Sequence, residues 1–317
     1  MKEQKTIFVD YPLNEKQRDE LEAAAAGCRL IETDDQRISP ELIRQANVIL
    51  GNPKPELLYN AENLEWIQLG SAGADAYIRF LPQGVILTNA AGAYGPSIGE
   101  YMVCMAMNLM LDLPQYRDNQ KNHLWENSHK VRHIPGSVAL SVGFGDIGRE
   151  FARRYHALGG HVIGVKRTLG QKPDYLDELH TIDELDSLLP RANVVALSLP
   201  STAETKHLFG RQKFERMKKD AILINVGRGT AVDTNDLCEA LQAGEIGGAA
   251  LDVTEPEPLP KDSPLWEIPN VVITPHVAGG WDVTENFERV FRISVENVRR
   301  YLNGEPLKNV VNLNLGY

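Results

Sequence analysis

The second half of the sequence contains Arg228, His276 and two neighbouring glutamates, Glu255 and Glu257, which are residue types that bind a small anion and transfer a proton to it. Arg228 lies in Asn225-Val-Gly-Arg-Gly229, where the glycines leave room for a guanidinium, the usual two-point partner of a carboxylate. His276 follows a predicted strand and precedes a pair of glycines, and histidine is suited to proton transfer near neutral pH. Together they suggest acid–base chemistry on a carboxylate-bearing substrate.

The acidic member of this set lies in a proline-rich loop, Asp252-Val-Thr-Glu-Pro-Glu-Pro-Leu-Pro260, which contains both Glu255 and Glu257. The prolines make the loop stiff and non-helical, so it can hold a side chain in place. Spacing alone does not choose between the two glutamates. Each residue of the set also has an ordinary interpretation, as a surface arginine, a solvated loop carboxylate or a structural histidine. A nucleotide-binding motif in the same chain favours the catalytic interpretation.

That motif begins with an apolar run at Val138, continues through Gly143, Gly145 and Gly148, and passes through a helix-like segment into a second apolar run. This is the strand–turn–helix–strand order of a dinucleotide-binding unit. The first glycine permits the tight turn, the second lets the backbone approach a pyrophosphate, and the third lets helix and strand pack closely. The helix then begins with free N–H groups that favour an anion.

The end of the second apolar run indicates which dinucleotide is bound. An NAD site usually has an acidic residue about 20 residues after the glycines, where it bonds the ribose 2′-hydroxyl. Here the run ends in Lys166, Arg167 and Thr168, and no carboxylate occurs between Glu150 and Asp174. Cationic side chains pair with phosphate oxygens, so we predict NADP(H) in preference to NAD(H). A solvated strand end is the alternative interpretation.

These residues must be positioned by a fold in which strand-like apolar runs alternate with helix-like segments. Such alternation is typical of parallel sheets with helices on both faces, where ligands gather beyond the carboxyl ends of the strands. A polar and aromatic segment at 112–135 is predicted to be a loop or arm. We predict strands at 6–10, 28–31, 47–50, 66–69, 85–88, 138–142, 161–165, 193–199, 221–225, 248–252 and 271–274, and helices at 15–26, 40–45, 96–111, 208–218, 233–243 and 283–302.

Composition narrows the class of protein. A chain of 317 residues suits two domains, and 43% hydrophobic with 24% charged residues is typical of a globular protein. A net charge of −10 disfavours nucleic acid as a partner. The three scattered cysteines fit neither a disulfide framework nor a metal site. We see no signal peptide at the N-terminus and no membrane-spanning run, so we expect a cytoplasmic protein that does not bind membranes.

Taken together, the motifs resemble those of the D-isomer-specific 2-hydroxyacid dehydrogenase family, and within it the glyoxylate/hydroxypyruvate reductase type. The similarity covers nearly the whole chain and includes the motifs at 71–75, 94–101, 143–148, 198–205, 225–229, 251–260, 264–266 and 270–276. Two features depart from the family pattern. Ser141 stands where an aliphatic residue is usual, and Lys166-Arg167 replaces the acidic position, as in the NADPH-using members.

The resemblance implies roles for individual residues. The Arg motif of the family falls on Arg228, its Glu-Pro motif on Glu257 rather than Glu255, and its Thr-Pro-His motif on His276. Substrate contacts are expected at Ala72, Gly73, Arg228 and His276. Cofactor contacts are expected at Gly143, Gly145, Asp146, Ile147, Gly148, Lys166, Arg167, Thr168, Leu199, Pro200, Val226, Gly227, Arg228, Asp252 and His276, and no metal ligands are expected.

The resemblance also implies an architecture of two Rossmann-like, doubly wound parallel-sheet domains with a cleft between them. A flavodoxin-like substrate domain would comprise residues 1–98 and 284–317, and an NAD(P)-binding Rossmann domain residues 99–283. The family is usually dimeric, and 112–135 corresponds to its dimer-forming arm, so a homodimer is expected. We expect no regulatory domain of the kind that many phosphoglycerate dehydrogenases carry.

The implied reaction is reduction of a small 2-keto acid to the D-2-hydroxy acid with NADPH, or alternatively NADH, as the hydride donor. His276 would protonate the forming alkoxide, and Glu257 would fix the tautomer of the imidazole. One alternative is a dinucleotide-sensing dimer, because corepressors similar to this family use the same fold. Another is a formate dehydrogenase, which is less favoured because that branch carries Gln where Glu257 stands.

Overall fold

The structure, a computed structural model, describes residues 4–33, 39–281 and 283–317. The chain folds into two compact units, one of Met1–Tyr94 with Trp281–Tyr317 and the other of Gly95–Gly280. Our predicted boundaries, after residues 98 and 283, lie slightly further along the chain. Residues 1–3, the start of the segment in which we expect no signal peptide, lie outside the described residues.

The first unit is built on five short apolar strands that form one parallel sheet in the order β2-β1-β3-β4-β5. Parallel strands are covered on both faces, which is why they are continuous apolar runs rather than alternating ones. The strands are β1 (Thr6–Asp10), β2 (Arg29–Glu32), β3 (Val48–Gly51), β4 (Trp66–Gln68) and β5 (Ile86–Thr88), and the helices between them are α1 (Glu15–Ala24), α2 (Pro40–Ile43) and α3 (Asp75–Ile78).

The C-terminal helix, Thr284–Asn303, returns to this unit and covers one face of its sheet. Its apolar residues Phe291, Val295 and Val298 are buried in one cluster with Ile7 and Val9 of β1. The spacing of the three helical residues places them on one side of the helix, as an amphipathic pattern requires. The helix ends at Gly304, whose backbone is left-handed with φ 71°.

The second unit is a seven-stranded parallel sheet in the order β12-β11-β10-β9-β6-β7-β8. The predicted fold class, two parallel-sheet α/β domains, is therefore confirmed. The strands are β6 (Val138–Val142), β7 (His161–Lys166), β8 (Glu178–Thr181), β9 (Val194–Leu197), β10 (Ile222–Asn225), β11 (Gly248–Leu251) and β12 (Val271–Ile273), and the helices are α4 (Gly95–Met110), α5 (Leu113–Lys121), α6 (Asp146–Ala157), α7 (Leu185–Leu188), α8 (Arg211–Phe214) and α9 (Thr234–Gln242).

Three local predictions were wrong or incomplete. The segment 112–135 is not only a loop, because its first part forms α5 with a proline in the first turn. Of the predicted helix at 208–218, only the four residues of α8 are helical. The N–H of Met217 bonds Phe214 O, three residues back, so the chain turns there instead of continuing the helix. Strand β8 was missed because all four of its residues are half-buried, and such a polar edge strand has no apolar run.

Within the described ranges, none of the helices combines the length and the apolar character needed to cross a membrane.

Candidate active site

The predicted site residues of the second unit follow the carboxyl ends of neighbouring strands. Strands β12, β11, β10, β9 and β6 are consecutive in the sheet and all parallel. The residues that follow them therefore meet at one edge, where ligands collect in open parallel sheets. His276 follows β12, Asp252 follows β11, Arg228 follows β10, and Gly143 follows β6.

The glycine turn after β6 has the backbone geometry that the sequence predicts. Gly143 has φ +94°, and a Cβ there would lie 2.5 Å from Ser198 O. A Cβ on Gly148 would lie 2.5 Å from Gly143 O and 2.8 Å from Ser141 Oγ. The hydroxyl of Ser141 donates to Gly148 O at 3.2 Å, so the unusual serine joins the strand to the helix. Gly145, by contrast, faces open space, with no atom within 4 Å of a Cβ.

Helix α6 begins directly after this turn, with Gly145 at the N-cap. Among the described residues, no side chain caps the helix. The first N–H groups of a helix point away from its own carbonyls, which favours an anion such as a pyrophosphate at this end. The Asp146 carboxylate instead accepts from the N–H of Gly95 at 3.0 Å, at the start of α4. Backbone at Asp146 and the half-buried Ile147 remain predicted cofactor contacts, and the turn fits a dinucleotide.

The segments after β9 and β10 pack directly against each other. A Cβ on Gly227 would lie 2.5 Å from Leu199 O and 2.6 Å from Leu199 N. Leu199 and Val226 are both buried, and Pro200 O accepts from the Thr205 hydroxyl at 2.7 Å. The two segments that contain four of the predicted cofactor contacts, at 199, 200, 226 and 227, are therefore packed together next to the turn after β6.

Arg228 is held in a turn formed by its own neighbours. The Asn225 amide donates to Arg228 O at 3.0 Å and accepts from Gly227 N–H at 3.1 Å. The guanidinium donates through Nη1 to Gly227 O at 2.9 Å. Gly229 packs against the proline-rich loop, where a Cβ would lie 1.9 Å from Thr254 O. The residue that follows the arginine thus packs directly against the loop that carries the two glutamates.

The two glutamates of that loop bind different histidines. Glu257 Oε1 lies 2.7 Å from His276 Nδ1, whereas Glu255 Oε2 lies 2.6 Å from His207 Nε2. The geometry therefore selects Glu257 as the partner of His276, which the sequence spacing left open. With Nδ1 bonded to the carboxylate, Nε2 is the ring atom left to exchange a proton with a substrate. The roles of these residues in catalysis stay predictions.

Asp252 holds the loop that carries His276. Its side chain is 2% exposed, and its two oxygens accept from Thr274 Oγ1 at 2.6 Å, Val277 N at 2.9 Å and Ala278 N at 3.0 Å. The backbone of His276 is left-handed, with φ 53°, and its N–H bonds Asp252 O at 2.9 Å. This left-handed conformation is costly for a non-glycine residue, and these bonds stabilise it.

The hydroxyl of Tyr101 extends this network. It lies 2.6 Å from Thr274 Oγ1, and because Thr274 donates to the carboxylate, Tyr101 donates to Thr274. Burial raises the pKa of Tyr101 to about 12, so the phenol keeps its proton over the working pH range.

Replacing Asp252 with asparagine should uncouple this loop. The new NH2 group would face either a backbone N–H or the Thr274 hydroxyl, leaving a buried donor unsatisfied. We expect the free energy of unfolding to fall by about 1–3 kcal/mol, with a lower kcat, while the Kd for NADPH changes little. Urea titration, turnover and cofactor fluorescence measure the three quantities. Asp262→Asn, an exposed carboxylate of the same unit, is the control. Weaker NADPH binding with unchanged stability would instead favour direct cofactor contact.

Lys166 is the last residue of β7, and Arg167 and Thr168 follow it as exposed residues. Strand β7 lies beside β6 in the sheet, so these residues end at the same edge as the glycine turn. The pKa of Glu204 is lowered by hydrogen bonds from the Glu204 backbone and from Thr202, and also by the positive charge of Arg167. Arg167 therefore acts electrostatically on the segment that follows β9. The side chains of Lys166 and Arg167 are of the kind that bind a 2′-phosphate.

Ala72 and Gly73 belong to the first unit, in the loop that follows β4. Ala72 O accepts from the Asn89 amide at 2.8 Å, and Gly73 O accepts from the Ser71 hydroxyl at 2.7 Å. The carbonyls of the loop are thus bonded within this unit. Backbone N–H groups at Ala72 and Gly73 remain the predicted partners of a substrate carboxylate.

Sequence reasoning missed three residues that support the site: Asn225, Thr274 and Tyr101. A signal existed for Asn225, because asparagine at a strand end commonly bonds the backbone of the following turn. No local signal identifies the other two, since Tyr101 and Thr274 are 173 residues apart in the chain.

Residues 103–278 match the family model for the D-isomer specific 2-hydroxyacid dehydrogenase, NAD binding domain. The chain belongs to this family. A solved structure of a D-isomer specific 2-hydroxyacid dehydrogenase family protein from Aeromonas salmonicida is 36% identical, with a TM-score of 0.86, and the match covers 98% of this chain and 100% of that one. The resemblance predicted from the motifs is thus confirmed.

Two further relatives carry names for an activity. The NADPH-dependent glyoxylate/hydroxypyruvate reductase from Sinorhizobium meliloti, solved in complex with NADP and sulfate, is 27% identical with a TM-score of 0.83, covering 99% of this chain and 100% of that one. The glyoxylate/hydroxypyruvate reductase B of Klebsiella pneumoniae is 44% identical over 54% of this chain. That match spans 52% of the length of the reductase. Matches to two D-3-phosphoglycerate dehydrogenases span 49% of the length of each. Family membership makes the chain an NAD(P)-dependent oxidoreductase of the 2-hydroxyacid type.

Proposed function

We propose that this protein reduces a small 2-keto acid of the glyoxylate or hydroxypyruvate kind to the D-2-hydroxy acid, with NADPH as the preferred donor. The observation that carries the proposal is the 2.7 Å hydrogen bond between His276 Nδ1 and Glu257 Oε1, at the edge of the sheet that also carries the glycine turn and Arg228. An oriented acid–base pair beside a dinucleotide turn is what carbonyl reduction requires.

In this proposal Arg228 and the N–H groups of Ala72 and Gly73 bind the substrate carboxylate. Arg228 also polarises the 2-keto group and stabilises the negative charge that develops on its oxygen. His276, protonated and oriented by Glu257, gives the proton on Nε2 to that oxygen. The bound reduced nicotinamide supplies the hydride. The first unit would then be the substrate domain, and the second the cofactor domain.

A substrate panel tests the proposal directly. The purified protein is mixed with NADPH and glyoxylate, hydroxypyruvate, pyruvate or a branched 2-keto acid, and the loss of reduced nicotinamide is followed by absorbance. We expect turnover with at least one small 2-keto acid and formation of the D-product. NADPH binding without turnover on any member of the panel would contradict the proposal and favour a dinucleotide sensor.

The NADPH preference rests on Lys166 and Arg167, which stand where an NAD-specific site has a carboxylate. Replacing both with alanine should raise KM for NADPH by at least about 10- to 150-fold, which corresponds to the loss of one charge-assisted hydrogen bond of about 1.5–3 kcal/mol. KM for NADH should stay nearly constant, since NADH lacks the 2′-phosphate. Arg153→Ala, an exposed arginine of α6, is the control. Equal use of NADH by the unmodified protein would refute the preference.

The proposed assembly is a homodimer in which 112–135 forms the contact between copies. Trp125 is fully exposed in this segment, and Leu113, Leu124 and Val131 are also exposed. A cavity of about 790 Å³ is lined by this segment, including Tyr116 and Trp125. Several exposed apolar side chains in one segment favour a protein–protein contact there.

A further inference from the structure

An indole ring covers the first residue of the proposed carboxylate-binding loop. Gly70 precedes Ser71, Ala72 and Gly73, and a Cβ placed on it would lie 2.8 Å from Cζ2 and 3.1 Å from Cη2 of Trp281. Real Cβ atoms essentially never approach an aromatic carbon at 2.8 Å, so the six-membered ring of the indole rests directly on the glycine backbone. Both residues belong to the first unit.

The loop under the indole is fixed by hydrogen bonds. The Asn52 amide accepts from Gly70 N–H at 2.7 Å and donates to Ser71 Oγ at 2.9 Å. The Tyr94 hydroxyl donates to Gly70 O, and burial raises the pKa of Tyr94 to about 12, so it remains a donor. The backbone at Gly70 and Ser71 therefore cannot easily move away from the ring.

The indole is fixed from its other side by aromatic neighbours. Its ring centroid lies 5.3 Å from that of Phe287 and 6.2 Å from that of Tyr11, and both rings are tilted relative to it. Tyr11 and Phe287 also contact each other edge to face. Such aromatic contacts orient a ring as well as bury it. Trp281 nevertheless remains 45% exposed, so part of a well-held side chain is accessible to a ligand.

We propose that Trp281 determines substrate specificity by forming a wall that limits the size of the substituent at C2 of the 2-keto acid. The inference rests on the proposed function, in which N–H groups of Ala72 and Gly73 bind the substrate carboxylate. Consecutive Cα atoms are about 3.8 Å apart, so Ala72 lies at most about 7.6 Å from Gly70. In this proposal, the substituent at C2 of an acid whose carboxylate is bound there lies within reach of the ring. The preferred substrates are therefore 2-keto acids with hydrogen or a short side chain, rather than branched or aromatic ones.

The test compares Trp281→Ala with the unmodified protein on glyoxylate, pyruvate, 4-methyl-2-oxopentanoate and phenylpyruvate, with NADPH saturating. We compare kcat/KM for 4-methyl-2-oxopentanoate and phenylpyruvate with kcat/KM for glyoxylate. In Trp281→Ala this ratio should rise by at least about 10- to 200-fold, which is the effect of one methylene group in a hydrophobic pocket. Trp281→Phe keeps a ring over Gly70 and should stay close to the original ratio. Trp281→Leu serves if the alanine variant does not fold. Tyr59→Ala, an exposed aromatic residue of the same unit, is the control.

An unchanged ratio in both Trp281→Ala and Trp281→Leu, in a protein that reduces glyoxylate, overturns this inference while leaving the proposed function intact. No reduction of any 2-keto acid by the unmodified protein overturns both.

A double-mutant comparison tests the contact between Gly70 and Trp281 itself. Gly70→Ala should lower the melting temperature, because its Cβ meets the indole and the Asn52 amide, and adding Trp281→Ala should recover part of that loss. Additive losses would show that the ring does not rest on Gly70.

Discussion

Replacing His276 with alanine is expected to lower kcat for 2-keto acid reduction by about 10²- to 10⁴-fold, the usual contribution of a general acid. The imidazole is the group that we propose protonates the substrate oxygen, and Glu257 at 2.7 Å orients it. Steady-state kinetics with NADPH and the best substrate of the panel measure the effect. The loss in turnover should be larger than any loss in cofactor affinity.

The matched control is His207→Ala, because His207 forms the second histidine–glutamate pair of the same loop, with Glu255 at 2.6 Å. We expect a much smaller loss of turnover from that variant. The opposite order of effects would make His207 and Glu255 the acid–base pair. Reduction requires the protonated imidazole and oxidation the neutral one.

Replacing Arg228 with alanine should lower kcat/KM for the 2-keto acid by about 10²- to 10³-fold, which is the typical cost of removing one donor from a site of developing negative charge. Both KM and kcat should worsen, because the guanidinium is proposed to bind the carboxylate and to stabilise the forming alkoxide. Arg228→Lys should recover only part of the loss, since an ammonium cannot make the planar two-point contact.

Measuring cofactor binding distinguishes a role for Arg228 in binding the substrate from a role in binding the cofactor. NADPH affinity, measured by fluorescence titration, should change little in Arg228→Ala. Arg211→Ala is the control, because Arg211 pairs with Glu239 on the surface of the same unit. A variant that chiefly loses NADPH affinity while keeping kcat would contradict the assignment of the arginine to the substrate.

Much of the fold could be predicted because its signals are local. Apolar runs such as Ile222–Asn225 are buried on both faces of a parallel sheet, and their residue types show this without reference to the rest of the chain. The glycine turn is equally local, since the left-handed backbone at Gly143 and the close approach at Gly148 exclude other residues. The edge strand Glu178–Thr181 was missed because its half-buried, polar residues carry no such signal.

The sequence by itself determined the residue types of the candidate site and their positions after the strands. The position of a strand along the chain and the chemistry of the turn that follows it both depend on neighbouring residues. Residue spacing did not decide which glutamate meets His276, since Glu255 and Glu257 lie in one loop and their partners are 48 and 19 residues away. The family resemblance indicated Glu257, and the contact itself is shown by the tertiary structure. The tertiary structure alone joined Tyr101 to Thr274 and laid Trp281 on Gly70. Such contacts depend on the path of the whole chain, and residue spacing does not contain that path.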